Sequence, residues 1–253
     1  MKIRVENLSF SYHSKQVIKD INMEISDLPT GVVGPNGSGK TTILKLLGGL
    51  LKPPNNKVFI DDKDVNTLNS NQLSKIFAYV SQDNEYTLGF SVEEIIEMGR
   101  YPYLRSFSFV SKNDQSIIDK TIEVLGLEKL RSFNTDELSS GEKQKVRIAR
   151  ALVQEPQFIL LDEPTSNLDL ANKILILDVL KNISDLGVGL LITSHDLEFI
   201  KQASDNAYMI KNGEILNRGS SKDIIVRENI KQLFGLTTLP EWVSWQYSTD
   251  IPD

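Results

Sequence analysis

The sequence predicts an α/β fold: a parallel sheet, opened by an antiparallel β segment and interrupted by a helical subdomain. Three observations carry this. Short, strand-sized apolar runs recur at Gly31-Val32-Val33-Gly34, at Phe158–Asp162 and at residues 189–193. Helix-patterned stretches separate them, and strands that alternate with helices imply parallel pairing. Only the first 25 residues show strand patterning without an intervening helix.

Taken in order, residues 2–6 alternate in strand fashion. Residues 17–25 follow, with apolar side chains at Val17, Ile18, Ile21, Met23 and Ile25. The two segments read as the antiparallel start. The run 31–34 is a short buried strand bounded by glycines. A helix is expected from Lys40 to about Leu50, stopped by Pro53-Pro54. Residues 57–60 and 76–80 read as further strands. Phe158–Asp162 is a continuous apolar run ending in acid, the pattern of a strand buried on both faces. Helices are expected at 92–98, 114–125, 142–154 and 170–186. Residues 91–137 are mostly helical with aromatic loops, Tyr101-Pro102-Tyr103 and Phe107-Ser108-Phe109. They read as a helical subdomain, with the start of the next helix to about residue 154, inserted into one domain spanning 1–236. Residues 237–253 form a C-terminal extension that carries both tryptophans, Trp242 and Trp245, and is a candidate edge strand.

Bulk properties narrow the function. With 253 residues, 40% hydrophobic and 25% charged, the chain has enough apolar mass for a full core. Its net charge of −6, with no block of Lys and Arg, argues against a nucleic-acid partner. The absence of cysteine excludes disulfides, thiolate metal sites and a Cys nucleophile. No apolar run follows the charged residues at the start, so a secretory signal is not expected. No stretch approaches the roughly 18 apolar residues of a membrane-spanning helix. Work at a membrane would need another chain to supply the span.

Residues 34–41, Gly34-Pro35-Asn36-Gly37-Ser38-Gly39-Lys40-Thr41, match G-x-x-x-x-G-K-[ST] in full, between a predicted strand and a predicted helix. The chemistry follows from the residue types. Glycines let the backbone curl so that successive N–H groups face phosphate oxygens. The helix N-terminus adds partial positive charge. Lys40 brings a full charge to the β and γ phosphates, and Thr41 offers a hydroxyl to Mg²⁺. The substrate is therefore expected to be ATP with Mg²⁺.

Acids at the end of Phe158–Asp162 lie where ligands gather in open α/β sheets. Asp162 is expected to hold Mg²⁺ through a water, and Glu163 to polarise the attacking water. Neighbouring residues on a strand point to opposite faces, which lets the two acids take different roles. Ser139 precedes a helix start, which reads either as an anion site or as a plain N-cap. His195 follows the strand at 189–193 and precedes Asp196, a candidate N-cap; a γ-phosphate contact is assigned to it. Gln82 ends the strand at 76–80 in the same way, with its amide available to Mg²⁺ and the attacking water. His13 lies in a polar turn and receives no role.

The order of these motifs resembles the ATP-binding-cassette (ABC) ATPases, P-loop NTPases, from about residue 2 to residue 236. The loop at 34–41 looks like that family's Walker A, with Thr42 counted in its ATP-binding set, and Phe158 to Glu163 looks like its Walker B. Ser139, Ser140, Gly141 and Glu142 lie in what looks like its signature. Ser166-Asn167-Leu168-Asp169 resembles the D-loop, His195 the switch histidine and Gln82 the Q-loop glutamine. Tyr12 sits where the family stacks an aromatic on adenine. The usual signature is Leu-Ser-Gly-Gly-Gln; here Ser140 replaces the first Gly and Glu142 the Gln. Activity is expected to survive with an altered rate.

The resemblance implies a homodimer in which the signature of one copy faces the ATP of the other, so that closure on ATP and opening after hydrolysis do the work. Residues 90–95 and 98–103, with 227–230 and 233–236, are similar to importers of iron–siderophore, haem and cobalamin. That similarity implies integral-membrane permease subunits as partners, a substrate-binding protein acting indirectly, and a cytoplasmic place on the inner face of the membrane. Zinc and manganese importers carry similar stretches. A soluble ABC ATPase, such as one for iron–sulfur assembly, is the alternative outside transport.

Overall fold

Alternate burial folds the N-terminus onto itself. β1 (Ile3–Tyr12) pairs antiparallel with β2 (Lys15–Ile25), with Ile3 opposite Ile25 and Val5 opposite Met23, all four buried. The register shifts after Val5, and Asn7 and Asp20 adopt positive φ, so the ribbon is bulged. These bulges explain why β1 continues beyond residues 2–6: they break the strict alternation without ending the strand. The computed structural model describes residues 1–82, 89–104 and 110–239. It divides into two units, Met1–Thr67 together with the chain from Leu191 onward, and Leu68–Leu190.

In the first unit the buried strand β3 (Thr30–Val33) leads through the glycine-rich loop into α1 (Lys40–Leu47). The helix ends at Gly48, short of the expected residue 50. Gly49 at φ +69° turns the chain before the prolines are reached. β4 (Val58–Ile60) pairs antiparallel with β1, and β5 (Lys63–Asp64) completes a sheet ordered β2-β1-β4-β5.

The second unit carries α2 (Ser70–Ile76), β6 (Phe77–Val80), α3 (Val92–Glu97), α4 (Lys112–Val124), α5 (Ser140–Leu152), β7 (Phe158–Asp162) and α6 (Leu170–Asp185), and then enters β8 (Gly189–Ser194). β6 and β7 run parallel, Phe77 opposite Phe158 and Val80 opposite Leu161. Side chains set the helix starts. Asn69, Ser91, Ser111 and Ser139 each form a reciprocal capping box with the residue three positions on. The Ser111–Asp114 box starts α4 at Lys112, earlier than the apolar pattern alone indicates.

Arg100 ties this unit together from inside. Its guanidinium donates to Asp114, Glu155 and the Val153 carbonyl, all at 2.8–2.9 Å, and stacks on Tyr103 at 4.2 Å. One cation thus fixes the 98–103 segment, the start of α4 and the end of α5. The second aromatic group, 107–109, lies outside the described residues.

Returning to the first unit, β8 from Leu191 pairs parallel with β3, and β9 (Asn206–Lys211) flanks β3 on the other side, also parallel. α7 (Leu197–Ala203) connects them. β10 (Glu214–Ser220) returns antiparallel to β9, and α8 (Ser221–Ile224) and α9 (Arg227–Phe234) follow. The sequence reading assigned no structure to these last elements. β10 alternates half-buried and exposed positions with few apolar side chains, so its period-2 signal is weak. The edge strand expected near both tryptophans falls at 240–253, outside the described residues.

Candidate functional site

The glycine-rich loop is built by close packing on one side and open space on the other. Gly34 lies where a Cβ would overlap the Ile210 carbonyl oxygen of β9 and approach Ser38 Oγ at 2.7 Å. Gly37 (φ +77°) and Gly39 (φ +108°) take left-handed backbone, and nothing stands within 4 Å of a Cβ on Gly37. Ser38 N–H donates to the Pro35 carbonyl at 3.2 Å, and Gly213 N–H to the Ser38 carbonyl at 3.1 Å. Lys40 is only 6% exposed; its Nζ donates to the Gly34 carbonyl at 2.8 Å and to that of Pro35 at 3.3 Å. The ammonium is thus folded back across the loop mouth. Ser38 Oγ is buried with no hydrogen-bond partner among the described residues. A buried hydroxyl and a caged ammonium on one loop are what an incoming phosphate oxygen would satisfy.

Val33 pairs with Ser194 in parallel register. Gly34 and His195 therefore leave the same edge of adjacent strands, with His195 exposed to solvent. Asp196 caps α7 by accepting from Phe199 N–H at 3.1 Å, as the sequence indicates. Tyr12 ends β1 at 41% exposure, edge-on to Phe10 with ring centroids 5.2 Å apart.

A second group of expected site residues gathers in the other unit. β6 and β7 are in register, so Gln82 and Glu163 leave the same end of paired strands. Asp162 is 2% exposed and accepts from Tyr79 Oη–H at 2.9 Å. Glu163 differs from the sequence expectation. β7 ends at Asp162, and Glu163 has φ +50°, so a left-handed turn rather than strand alternation aims its side chain. The residue is 6% exposed. The turn closes with Ser166 N–H donating to the Glu163 carbonyl at 3.1 Å. A non-glycine residue in this backbone region is strained and persists where surrounding structure dictates it. Asn167 at φ +64° and Asp169, which caps α6 through Asn172 N–H at 2.8 Å, complete the loop.

Ser139 is the N-cap of α5, and Glu142 completes the box. The Glu142 carboxylate accepts from Ser139 N–H at 2.8 Å and from Ser139 Oγ–H at 2.7 Å. The plain N-cap reading therefore holds in this conformation, with a carboxylate already at the helix start. Gly141 lies where a Cβ would overlap the Asn172 side chain, so the signature turn packs against the first turn of α6.

The hydrogen bonds from Ser139 hold the Glu142 carboxyl below its ordinary pKa. A carboxyl depressed in the folded state contributes stability above its unfolded pKa, and loses it as pH falls through the folded value. The cap is therefore expected to weaken below about pH 4.5. In Glu142→Gln the amide cannot titrate, so the loss between pH 7 and pH 3 should be smaller than in the parent. Thermal melts of both proteins at the two pH values check this.

Sequence reasoning missed Tyr79, the partner of Asp162, and the basic face of α5. Ser140, Lys143, Gln144 and Arg147 line one cavity with Gln82, Glu163 and the 166–168 loop. The signal was present: positions 140, 143, 144 and 147 recur at helical spacing on one face. Among the described residues no three His, Cys, Asp or Glu side chains gather as a metal cluster, and no helix is long and apolar enough to cross a membrane.

The family model for ABC transporters matches residues 18–166. The chain is 37% identical over 238 residues to an uncharacterised ABC transporter ATP-binding protein of Methanocaldococcus jannaschii, covering 93% of this chain and 92% of that one. It is 31% identical to a petrobactin import ATP-binding protein of Bacillus anthracis, covering 92% and 93%. A bacterial ABC transporter cassette solved as a dimer superposes with a TM-score of 0.74 at 26% identity, over 87% of this chain and 98% of that one.

Proposed function

Because the chain belongs to the ABC transporter family, we propose that it is the ATP-hydrolysing subunit of an importer for an iron chelate, haem or cobalamin. One observation carries the reading of the chemistry. The full phosphate loop stands between a buried strand and a helix, with Lys40 caged on its mouth and Ser38 Oγ buried without a partner among the described residues. Similarity to the petrobactin import protein, together with the 98–103 and 227–236 stretches, supports the substrate class.

In this reading residues 34–42 hold the ATP phosphates through backbone N–H groups and Lys40, while Tyr12 stacks on adenine. Water attacks the γ-phosphorus, the bond from phosphorus to the β,γ-bridging oxygen breaks, and ADP leaves with that oxygen. Glu163 accepts the proton of the attacking water. Gln82 orients that water, and His195 donates to the γ-phosphate. Ser139 to Glu142 of a second copy, with Asp169 in the D-loop, complete the site, so the working form is a homodimer. Where Ser139 meets the partner's nucleotide, its hydroxyl must turn away from Glu142.

The residues present fit Mg²⁺. Magnesium is usually held by one or two carboxylates plus substrate phosphates, with waters retained. One buried carboxylate, Asp162, oriented by Tyr79, with Thr41 and Gln82 as neutral oxygen donors, is such a set; no three-carboxylate cage is needed. When bound, the ion would neutralise charge on the β and γ oxygens.

The partners in this reading are integral-membrane permease subunits, which place the chain on the cytoplasmic face of the membrane. A substrate-binding protein contributes indirectly. Co-expression with multi-span permease subunits from the same genome, followed by purification in detergent, tests the import reading. A stable complex whose ATP turnover drives uptake of an iron chelate is expected. Association with soluble proteins alone would refute import, and uptake of zinc or manganese in place of chelates would refute the substrate class.

A further inference from the structure

The cavity beside Glu163 has a chemistry that ATP binding at the loop does not explain. It measures ≈ 220 Å³, below the roughly 300–1,000 Å³ of pockets for organic ligands. Its size suits a small ion with its waters. Two cations, Lys143 and Arg147, line it against one carboxylate, Glu163. Among the described lining residues the formal charges sum to a positive value, in a chain whose net charge is −6.

The lining also offers donors. Gln144 is 5% exposed, and its Oε1 accepts from the Arg147 guanidinium at 3.0 Å. Its Nε2 is buried and finds no acceptor among the described residues. Buried amide donors are seldom left without one. Arg147 is itself oriented by that bond, and a guanidinium is suited to oxyanion oxygens. Asn167 and Gln82 are also among the lining residues. All of these groups belong to the second unit.

We infer that this cavity is a site for inorganic phosphate, occupied by the product of ATP hydrolysis before it leaves the protein. The inference rests on Glu163 acting at the γ-phosphate, as proposed above. Glu163 then borders both the reacting water and the cavity, so phosphate released at its carboxylate enters a cation-lined space. Lys143, Gln144 and Arg147 are binding residues in this assignment, spaced on one face of α5.

The test separates this site from the phosphate loop. In a Lys40→Ala background, which removes the loop's charge, inorganic phosphate is titrated into the nucleotide-free full chain and followed by phosphorus NMR. Saturable binding is expected. Adding Arg147→Met should weaken it about tenfold, and Arg147→Lys less than about threefold, because the charge survives. Lys143→Met serves as the second variant should Arg147→Met fail to fold, judged by its melt. Absence of saturable binding in Lys40→Ala alone, or unchanged affinity in the Met variants, overturns the site. A single-turnover measurement identifies the source of the phosphate. With Lys40 intact, phosphate release should lag ATP cleavage in the parent, and the lag should shorten in Arg147→Met. Binding from solution without any lag would overturn the product assignment and leave an anion site only. Normal turnover by Glu163→Gln would refute the catalytic reading while the titration still decides the cavity.

Discussion

Glu163→Gln is expected to lower the rate of ATP hydrolysis about a thousandfold while leaving ATP affinity within about threefold of the parent. The substitution is nearly isosteric, so the buried turn at φ +50° keeps its packing and the cavity keeps its shape. What changes is basicity: an amide cannot take the proton that the attacking water must lose. Affinity is assigned to the loop, where Lys40 and the backbone N–H groups stand, and that loop belongs to the unit Met1–Thr67 with the chain from Leu191 onward. Phosphate release measured against equilibrium binding of ATP separates the two quantities. Turnover within tenfold of the parent would remove Glu163 from the role of base. Asp162→Asn provides the contrast. It weakens an acceptor that Tyr79 holds at 2.9 Å and that is assigned to Mg²⁺, so its defect should shrink as magnesium is raised. The Glu163→Gln defect should not.

The two acids also show what the sequence could and could not disclose. The buried run Phe158–Asp162 appears in the structure with the same bounds, because continuous apolar side chains leave a strand little alternative. The direction of Glu163 was not legible. Strand alternation predicts it from the neighbour, whereas the observed left-handed backbone is imposed by the turn at 163–166, where no glycine announces it. The helix starts follow the same division. Apolar periodicity puts α5 at 142, but the Ser139–Glu142 box starts it at Ser140, so the cap rather than the apolar face sets the boundary. Arg100 falls in the 98–103 stretch, which the sequence marks only by its likeness to importers. Its burial depends on Asp114 and Glu155, 14 and 55 residues away, pairings that no local pattern encodes. In the glycine-rich loop Gly37 and Gly39 answer a local backbone demand that the motif states, whereas Gly34 answers a distant one, the Ile210 carbonyl of β9.

Gly34→Ala should abolish measurable ATP binding and destabilise the protein by about 1–3 kcal/mol. Its φ is not positive, so the cost is steric rather than conformational. A methyl on Gly34 overlaps the Ile210 carbonyl oxygen, which is backbone of β9 and cannot rotate aside as a side chain would. Val33 pairs with Met209 in the same register, so relief requires either prising β3 from β9 or lifting the loop off the strand. Both displace Ser38, whose Oγ stands 2.7 Å from the new atom, and the Gly34 carbonyl that holds Lys40 Nζ at 2.8 Å. The loop would then present neither its N–H groups nor its charge to the phosphates. Gly37→Ala is the control. Beyond its chain neighbours, nothing among the described residues lies within 4 Å of its Cβ, and the left-handed φ of +77° costs about 1 kcal/mol. That variant should melt slightly earlier and still bind ATP. Thermal melts and nucleotide titrations on the two variants decide the matter. A Gly34→Ala protein that melts within about 2 °C of the parent and binds ATP equally well would show that β9 does not hold the loop in place.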